Sequence, residues 1–156
     1  MGVKAHGREW VYNARVFSTA VTMIGLLIVA HGNLGESLIQ CATYVLGQRP
    51  ADLHALDLTA YADSEAMLEV ARQQIDDLSR RNDGVLVLAD VYGATPCNTV
   101  CKLLRPGRVE AVAGVNLPML LKALSYRSEA LNLLADRAAA GAQAGVFHIR
   151  FDHCDA

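Results

Sequence analysis

The amino-acid sequence predicts a single α/β domain built on a mostly parallel β-sheet. Two continuous apolar runs, MIGLLIVAHG (23–32) and GVLVLAD (84–90), have the composition of strands that are buried on both faces. Between these runs and two further strand candidates, apolar residues recur at helical spacing. Because alternating strands and helices pack as layers through right-handed crossovers, we expect a four-stranded sheet with helices on both faces.

The first half of this domain contains two strand–helix units. The run at 23–32 is followed by a stripe of apolar residues at helical spacing, which Gly47 and Pro50 bring to an end. The segment 53–58 (LHALDL) predicts the second strand. Asp63 is a suitable N-cap for the next helix, which ends at the turn residues 82–84.

The second half continues the alternation. After the strand at 84–90 comes a loop in which Thr95 is a suitable N-cap and Pro96 fits the first helical position. The remaining elements are predicted in chain order as a helix through Leu104, a strand at 109–115, helices at 116–124 and 128–140, and a last strand at 146–151. The last strand, VFHIRF, alternates and is rich in β-branched and aromatic residues, so we expect an edge strand or one exchanged between subunits.

The domain is predicted to begin at Met23. Residues 1–22 have no steady hydrophobic period and carry a small excess of basic residues, so we expect a weakly ordered N-terminal extension ahead of a domain at 23–156. The whole chain has 156 residues, which is the usual size of one domain.

Composition excludes several classes of protein. The net charge of −2 argues against a nucleic-acid binder, which usually carries a basic excess. No apolar run is long enough to span a membrane. The four cysteines form no CxxC pair and predict reduced thiols in a cytoplasmic protein. We predict no cofactor and no metal site; Cys97 and Cys101 with His148, His153 or Cys154 would be a weak alternative.

The residues with chemical potential follow the carboxyl ends of the strands, where α/β folds bind ligands. His31 follows the first strand and Asp90 the third, and these two strands are neighbours in flavodoxin-like sheets. A carboxylate that accepts from one imidazole nitrogen leaves the other as a nucleophile. The helix start at Thr95-Pro96 offers backbone N–H groups to an anion. These parts suit phosphoryl transfer through phosphohistidine.

Simpler interpretations of the same residues remain open at this point. A histidine at a strand end is commonly a solvated or capping residue, and an aspartate after a strand is commonly a loop cap. Asp57, which ends the second strand near the same edge, would then be a solvated acid that has no part in shaping a pocket.

Three segments carry a resemblance to a known family. LIVAHGNLGESL (27–38), GVLVLADVYGATPCN (84–98) and AGVNLPMLLKAL (113–124) resemble the mannose/fructose-type IIA component of the bacterial phosphoenolpyruvate-dependent sugar phosphotransferase system. The resemblance implies a phosphotransferase component in which His31 accepts phosphate from the carrier HPr at Nε2. Asp90 would hold Nδ1, and the phosphate would pass to a IIB component.

The resemblance also implies further site residues and a homodimer that exchanges a C-terminal strand. Gly93, Ala94 and Thr95 would bind the phosphoryl oxygens, and Asn33, Tyr92 and Asn116 would line the site. This chain departs from the mannose branch in having Asn33 in place of an aromatic residue, Tyr92 in place of Trp, and Ala94-Thr95 in place of Gly-Ser.

The same residues are also compatible with other functions. The chain could serve a sugar permease, a regulatory phosphorelay, or a dihydroxyacetone kinase as its phosphoryl-donor subunit. A flavodoxin-like module that binds a small ligand is the alternative from another class, with Tyr61 and Tyr92 as stacking partners.

Overall fold

The computed structural model describes residues 23–151 and has the predicted α/β architecture. Four parallel strands form one sheet in the order β2-β1-β3-β4. In the described chain the strands are β1 (Ile24–Ala30), β2 (Leu53–Asp57), β3 (Gly84–Ala89) and β4 (Val109–Ala113). The helices are α1 (Leu34–Leu46), α2 (Ser64–Arg81), α3 (Thr95–Cys101), α4 (Leu117–Tyr126) and α5 (Leu131–Ala144). The predicted fold class is confirmed.

The strand β1 lies in the middle of the sheet because its residues are apolar on both faces. It pairs in parallel with β2, where Ala30 lies opposite Asp57, and with β3, where Val29 lies opposite Ala89. All seven residues of β1 are buried. The residues that follow β1 and β3 therefore emerge side by side at one edge of the sheet.

Helices cover both faces of the sheet, as the sequence predicts. On one face, α1, α4 and α5 pack against alternate β1 side chains, among them Leu26 and Ile28. On the other face, α2 and α3 pack against Leu27 and Val29. Burial of these two apolar layers is the main term that stabilises such a domain.

Two predicted helix starts have different outcomes. Asp63 is the N-cap of α2, since its carboxylate accepts the N–H of Ala66 at 2.8 Å. The N-cap of α3 is Ala94 and not Thr95, so this prediction is wrong by one residue. The Ala94 carbonyl accepts the first helical hydrogen bond, from the N–H of Asn98, and this places Thr95 inside the first turn.

The strand predicted at 146–151 is absent from the sheet of the described chain. Residues 146–150 form no strand, and the large side chains of the segment are exposed. The edge-strand alternative is therefore wrong for a single chain, whereas exchange with a second copy stays a prediction. The extension predicted at 1–22 lies outside the described residues. Among helices of the described part, none has the length and hydropathy to cross a membrane.

Candidate functional site

The structure brings His31 and Asp90 together where β1 and β3 end. The imidazole Nδ1 of His31 lies 2.6 Å from Oδ2 of Asp90, and the same oxygen accepts the backbone N–H of His31 at 2.8 Å. The His31 side chain is 50% exposed and that of Asp90 only 6%. A buried carboxylate thus fixes one nitrogen of a ring that solvent can reach.

The Asp90 carboxylate is held in its ionised form. Burial is the largest single influence and raises the pKa of Asp90, but hydrogen bonds from the backbone and ring of His31 and from the Val91 N–H together outweigh it. The Val91 N–H is 2.7 Å from Oδ1. The net effect is a pKa below the usual value for aspartate. An ionised acceptor favours the tautomer with its proton on Nδ1, which leaves the Nε2 lone pair available.

A second carboxylate holds the chain just beyond His31. Oδ1 of Asp57 accepts the Gly32 N–H at 3.0 Å, and it also accepts the N–H and hydroxyl of Thr59 at 2.9 and 2.5 Å. The pKa of Asp57 lies below the usual value for aspartate, chiefly because the Thr59 hydroxyl donates a hydrogen bond to the carboxylate. Asp57 therefore has specific backbone partners, which the interpretation as a solvated loop acid did not predict.

The loop after β3 contains the residues predicted to bind phosphate. Gly93 has a φ of +82°, a conformation that favours glycine. Ala94 caps α3, and Thr95 is exposed in its first turn. Asn98, which was not among the predicted site residues, donates from Nδ2 to the Gly93 carbonyl at 2.9 Å and ties the loop to α3. A helix-to-loop contact of this kind has no periodic signal in the sequence.

The three residues predicted to line the site have different environments. Asn33 is exposed at the start of α1, and Tyr92 is 84% exposed in the loop after Asp90. Asn116 instead caps α4 by accepting the Met119 N–H at 2.9 Å, and its amide nitrogen donates to the Ala142 carbonyl at 3.3 Å. These two bonds direct the Asn116 side chain towards α4 and α5.

The cysteine residues of α3 differ in burial. Cys97 is buried in α3, and Cys101 is exposed at its end. Within residues 23–151, the structure contains no cluster of three or more His, Cys, Asp or Glu side chains that would hold a metal ion. The alternative metal site with His153 or Cys154 lies in part outside this range.

Together, these contacts give an exposed imidazole whose Nδ1 is held by a buried carboxylate, followed by the turn at Gly32 and the start of α1. The same residues lie within a stretch that matches a family model: residues 25–140 match the model described as "PTS system fructose IIA component". The chain belongs to this family. His31 and Asp90 both lie inside the matched stretch.

Curated relatives of the chain are phosphotransferase-system proteins. The chain is 30% identical over 107 residues to the PTS system mannose-specific EIIAB component of Escherichia coli, an alignment that covers 68% of this chain and 32% of that protein. It is 30% identical over 106 residues to the fructose-specific EIIA component of Bacillus subtilis, covering 67% of this chain and 71% of that one. The chain therefore spans about a third of the mannose-specific EIIAB relative and most of the fructose-specific one.

Solved structures with the same fold include other IIA proteins. Phosphotransferase system component EIIA from Streptococcus agalactiae superposes with a TM-score of 0.71 at 25% identity, covering 85% of this chain and all of that one. A PTS IIA protein associated with the fucose utilization operon of Streptococcus pneumoniae has a TM-score of 0.71 at 27% identity, covering 83% and 95%. The fold and the family assignment thus agree.

Proposed function

We propose that this IIA protein is a cytoplasmic phosphohistidine carrier. His31 accepts a phosphoryl group from HPr and passes it to a IIB component for sugar uptake. The observation that supports this function most strongly is the 2.6 Å contact between His31 Nδ1 and Asp90 Oδ2, in a ring that remains half exposed. A protein donor can approach such a ring, whereas a buried histidine would be out of reach.

The transfer step follows from the tautomer. The Nε2 lone pair of His31 attacks the phosphorus atom of the donor phosphohistidine, so that a new P–N bond forms while the donor P–N bond breaks. The proton stays on Nδ1, hydrogen-bonded to the Asp90 carboxylate. The negative charge of Asp90 stabilises the positive charge that develops on the ring. Transfer to IIB is the same displacement, with His31 Nε2 as the leaving group.

The loop that follows Asp90 is the proposed binding site for the phosphoryl oxygens. The N–H groups of Gly93, whose φ is positive, and of the start of α3 are donors of the type that bind an anion. The N–H of Ala94 itself donates to the Val91 carbonyl at 3.3 Å and helps to hold this loop. The exposed Thr95 hydroxyl adds a further donor. Asn98 supports this assignment because its bond to the Gly93 carbonyl holds the loop in one conformation.

The surface around His31 is the proposed docking site for both protein partners. Val91 and Tyr92 are large exposed side chains in the loop after Asp90, and Leu34 is exposed at the start of α1. Asn33 lies between His31 and Leu34 in the sequence and is also exposed. An apolar surface with a polar nucleophile at its edge is suited to transient contact with another protein.

Transport is favoured over the other roles because relatives and structural neighbours are named for sugars. They are described as mannose-specific, fructose-specific and associated with fucose utilization. We therefore propose a IIB component, and not a regulatory relay or a dihydroxyacetone kinase, as the phosphate acceptor. A flavodoxin-like module for small ligands would have no need of the oriented His31–Asp90 pair.

The test is phosphoryl transfer in a reconstituted system. The purified chain is incubated with phosphoenolpyruvate, enzyme I and HPr, and the mass of the intact protein is measured. We expect one acid-labile, alkali-stable phosphate on the chain and none on the His31→Ala variant. His54→Ala is the matched control, because His54 lies in β2 with its ring nitrogen 3.4 Å from Gln74, and it should label fully. Undiminished labelling of His31→Ala would contradict the assignment.

A further inference from the structure

We propose that Asp57 is a positioning residue for His31, which it serves by holding the turn at His31–Gly32. This inference rests on the proposed phosphocarrier function of His31 and adds a third residue to its machinery. None of the hydrogen bonds of Asp57 reaches the imidazole. Asp57 acts through the backbone that carries the ring, because it accepts the N–H of Gly32.

An aspartate lies on each side of the end of β1. The two strands on either side of β1 each end beside an aspartate: Asp57 on the β2 side and Asp90 on the β3 side. Asp90 accepts the N–H of His31 at 2.8 Å, and Asp57 accepts the N–H of Gly32 at 3.0 Å. Two consecutive amides at the exit of β1 are therefore fixed by two carboxylates from opposite sides.

The Asp57 carboxylate is also oriented by hydrogen bonds within its own turn. The N–H and the hydroxyl of Thr59 donate to the same oxygen, Oδ1, that accepts from Gly32. These bonds close a short turn at the end of β2, where Leu58–Ala60 forms a 3₁₀-helix capped by Asp57. A pre-oriented acceptor loses little further freedom when it binds the Gly32 amide.

Apart from Asp57, the turn at Gly32 is closed by one long hydrogen bond, from the Leu34 N–H to the His31 carbonyl at 3.4 Å. Gly32 has a φ of +55° and is exposed, and a Cβ atom built at this position would have no heavy atom within 4 Å. Glycine can adopt many backbone conformations, and no neighbouring atom lies close enough to select this one. The direction of the His31 ring depends on this backbone as well as on the contact between Nδ1 and Asp90. Small errors in the placement of a reacting group reduce transfer rates strongly.

The proposal requires the hydrogen-bond acceptor and not the charge of Asp57. An asparagine has an amide oxygen in the same position and can accept from the Gly32 and Thr59 amides. Asp57→Asn should therefore preserve the turn, whereas Asp57→Ala removes the acceptor. Rescue by asparagine is an outcome that a purely electrostatic role would not produce.

The experiment compares His31 reactivity in four proteins: the wild type, Asp57→Ala, Asp57→Asn and Asp63→Ala. Phosphoramidate serves as a small phosphoryl donor, and the initial rate is read from the intact mass. We expect the Asp57→Ala rate to fall about tenfold and the Asp57→Asn rate to stay within about threefold of wild type. Asp63→Ala is the matched control, since it removes an aspartate that caps α2 at 2.8 Å and leaves the rate unchanged. A wild-type rate in Asp57→Ala, or an equal loss in Asp57→Asn, would overturn the proposal.

A second readout needs no phosphoryl donor. In ¹H–¹⁵N NMR spectra, we expect the Gly32 amide and the His31 ring signals to move in Asp57→Ala and to keep near wild-type positions in Asp57→Asn. Unchanged His31 ring signals in a folded Asp57→Ala protein would also overturn the proposal. If HPr fails to phosphorylate the wild type, the carrier function is wrong, yet these spectra still decide whether Asp57 positions the ring.

Discussion

At the scale of single residues, the site depends on how two carboxylates share the end of one strand. Asp90 contacts both the backbone and the ring of His31, whereas Asp57 contacts the following amide. In the proposed transfer, Asp90 engages His31 Nδ1, so the reacting nitrogen is Nε2. The pair was predictable from two apolar runs that end beside His31 and Asp90. The Asp57 contact was not, because a loop carboxylate gives no sequence signal that identifies its partner amide.

Asp90→Asn tests the tautomer directly. The substitution keeps the size of the side chain, but an asparagine can present an N–H to Nδ1 and so favour the proton on Nε2. We expect the rate of phosphorylation by phospho-HPr to fall by about 100-fold or more. Asp83→Asn is the matched control, because Asp83 lies just before β3 and accepts the Met23 N–H at 3.3 Å. An Asp90→Asn rate equal to that of the control would count against the role of Asp90.

Acid should weaken the fold through the same carboxylate. The pKa of Asp90 is lowered in the folded state, so its contribution to stability is complete above the pKa of the unfolded chain. That contribution is lost as the pH falls through the lower folded-state pKa. We expect the free energy of unfolding, measured in urea from about pH 5 to about pH 3, to fall more steeply for wild type than for Asp90→Asn. Parallel curves for the two proteins would contradict this.

At the scale of elements, the strands and helices were predicted from hydrophobic period. Apart from the strand predicted at 146–151, which is absent, the errors occur at the ends of elements. The N-cap of α3 was assigned to Thr95 because threonine before proline is a common helix start, but the Ala94 carbonyl opens the helix. The contact of Asn98 with Gly93 ties a helix to the loop before it. Such contacts depend on three-dimensional placement, and residue type alone does not reveal them.

The seating of α1 on the sheet can be tested at Gly35. A Cβ atom at Gly35 would lie 3.0 Å from the Cβ of Ala55 and 3.3 Å from Cγ2 of Ile28, closer than side-chain atoms normally approach. We expect Gly35→Ala to lower the free energy of unfolding by a net amount of about 1 kcal/mol, because the cost of the close contacts exceeds the similar gain in helix propensity from alanine. Gln40→Ala is the control at an exposed position of the same helix. Stabilisation in Gly35→Ala would show that α1 tolerates the displacement.

At the scale of the whole molecule, the segment 146–151 has no strand partner in the described chain. Val146, Phe147, Ile149 and Phe151 are 64–86% exposed, an unusual concentration of large apolar side chains on a protein surface. Phe147, Ile149 and Phe151 alternate along the chain, so an extended strand would present them on one side. The sequence predicted a strand here from this alternation, but strand formation requires a partner backbone that the single chain does not supply.

Exchange of this segment with a second copy of the chain stays a prediction, which the family resemblance implies. The strands β2 and β4 lie at the edges of the sheet in the described chain, where another strand can add. By light scattering after size exclusion, we expect a dimer for the full chain and a monomer for a variant that ends at Gly145. If the two proteins have the same number of subunits, the segment has no part in assembly.

In the proposed function, His31 carries the phosphoryl group on the nitrogen that Asp90 leaves available. The most direct measurement is ¹⁵N and ³¹P NMR of the chain after phosphorylation through HPr, which distinguishes the two phosphohistidine isomers. We expect a single phosphohistidine at residue 31, with phosphorus bonded to Nε2 and the proton on Nδ1. Phosphorus on Nδ1, or on any residue other than His31, would contradict it.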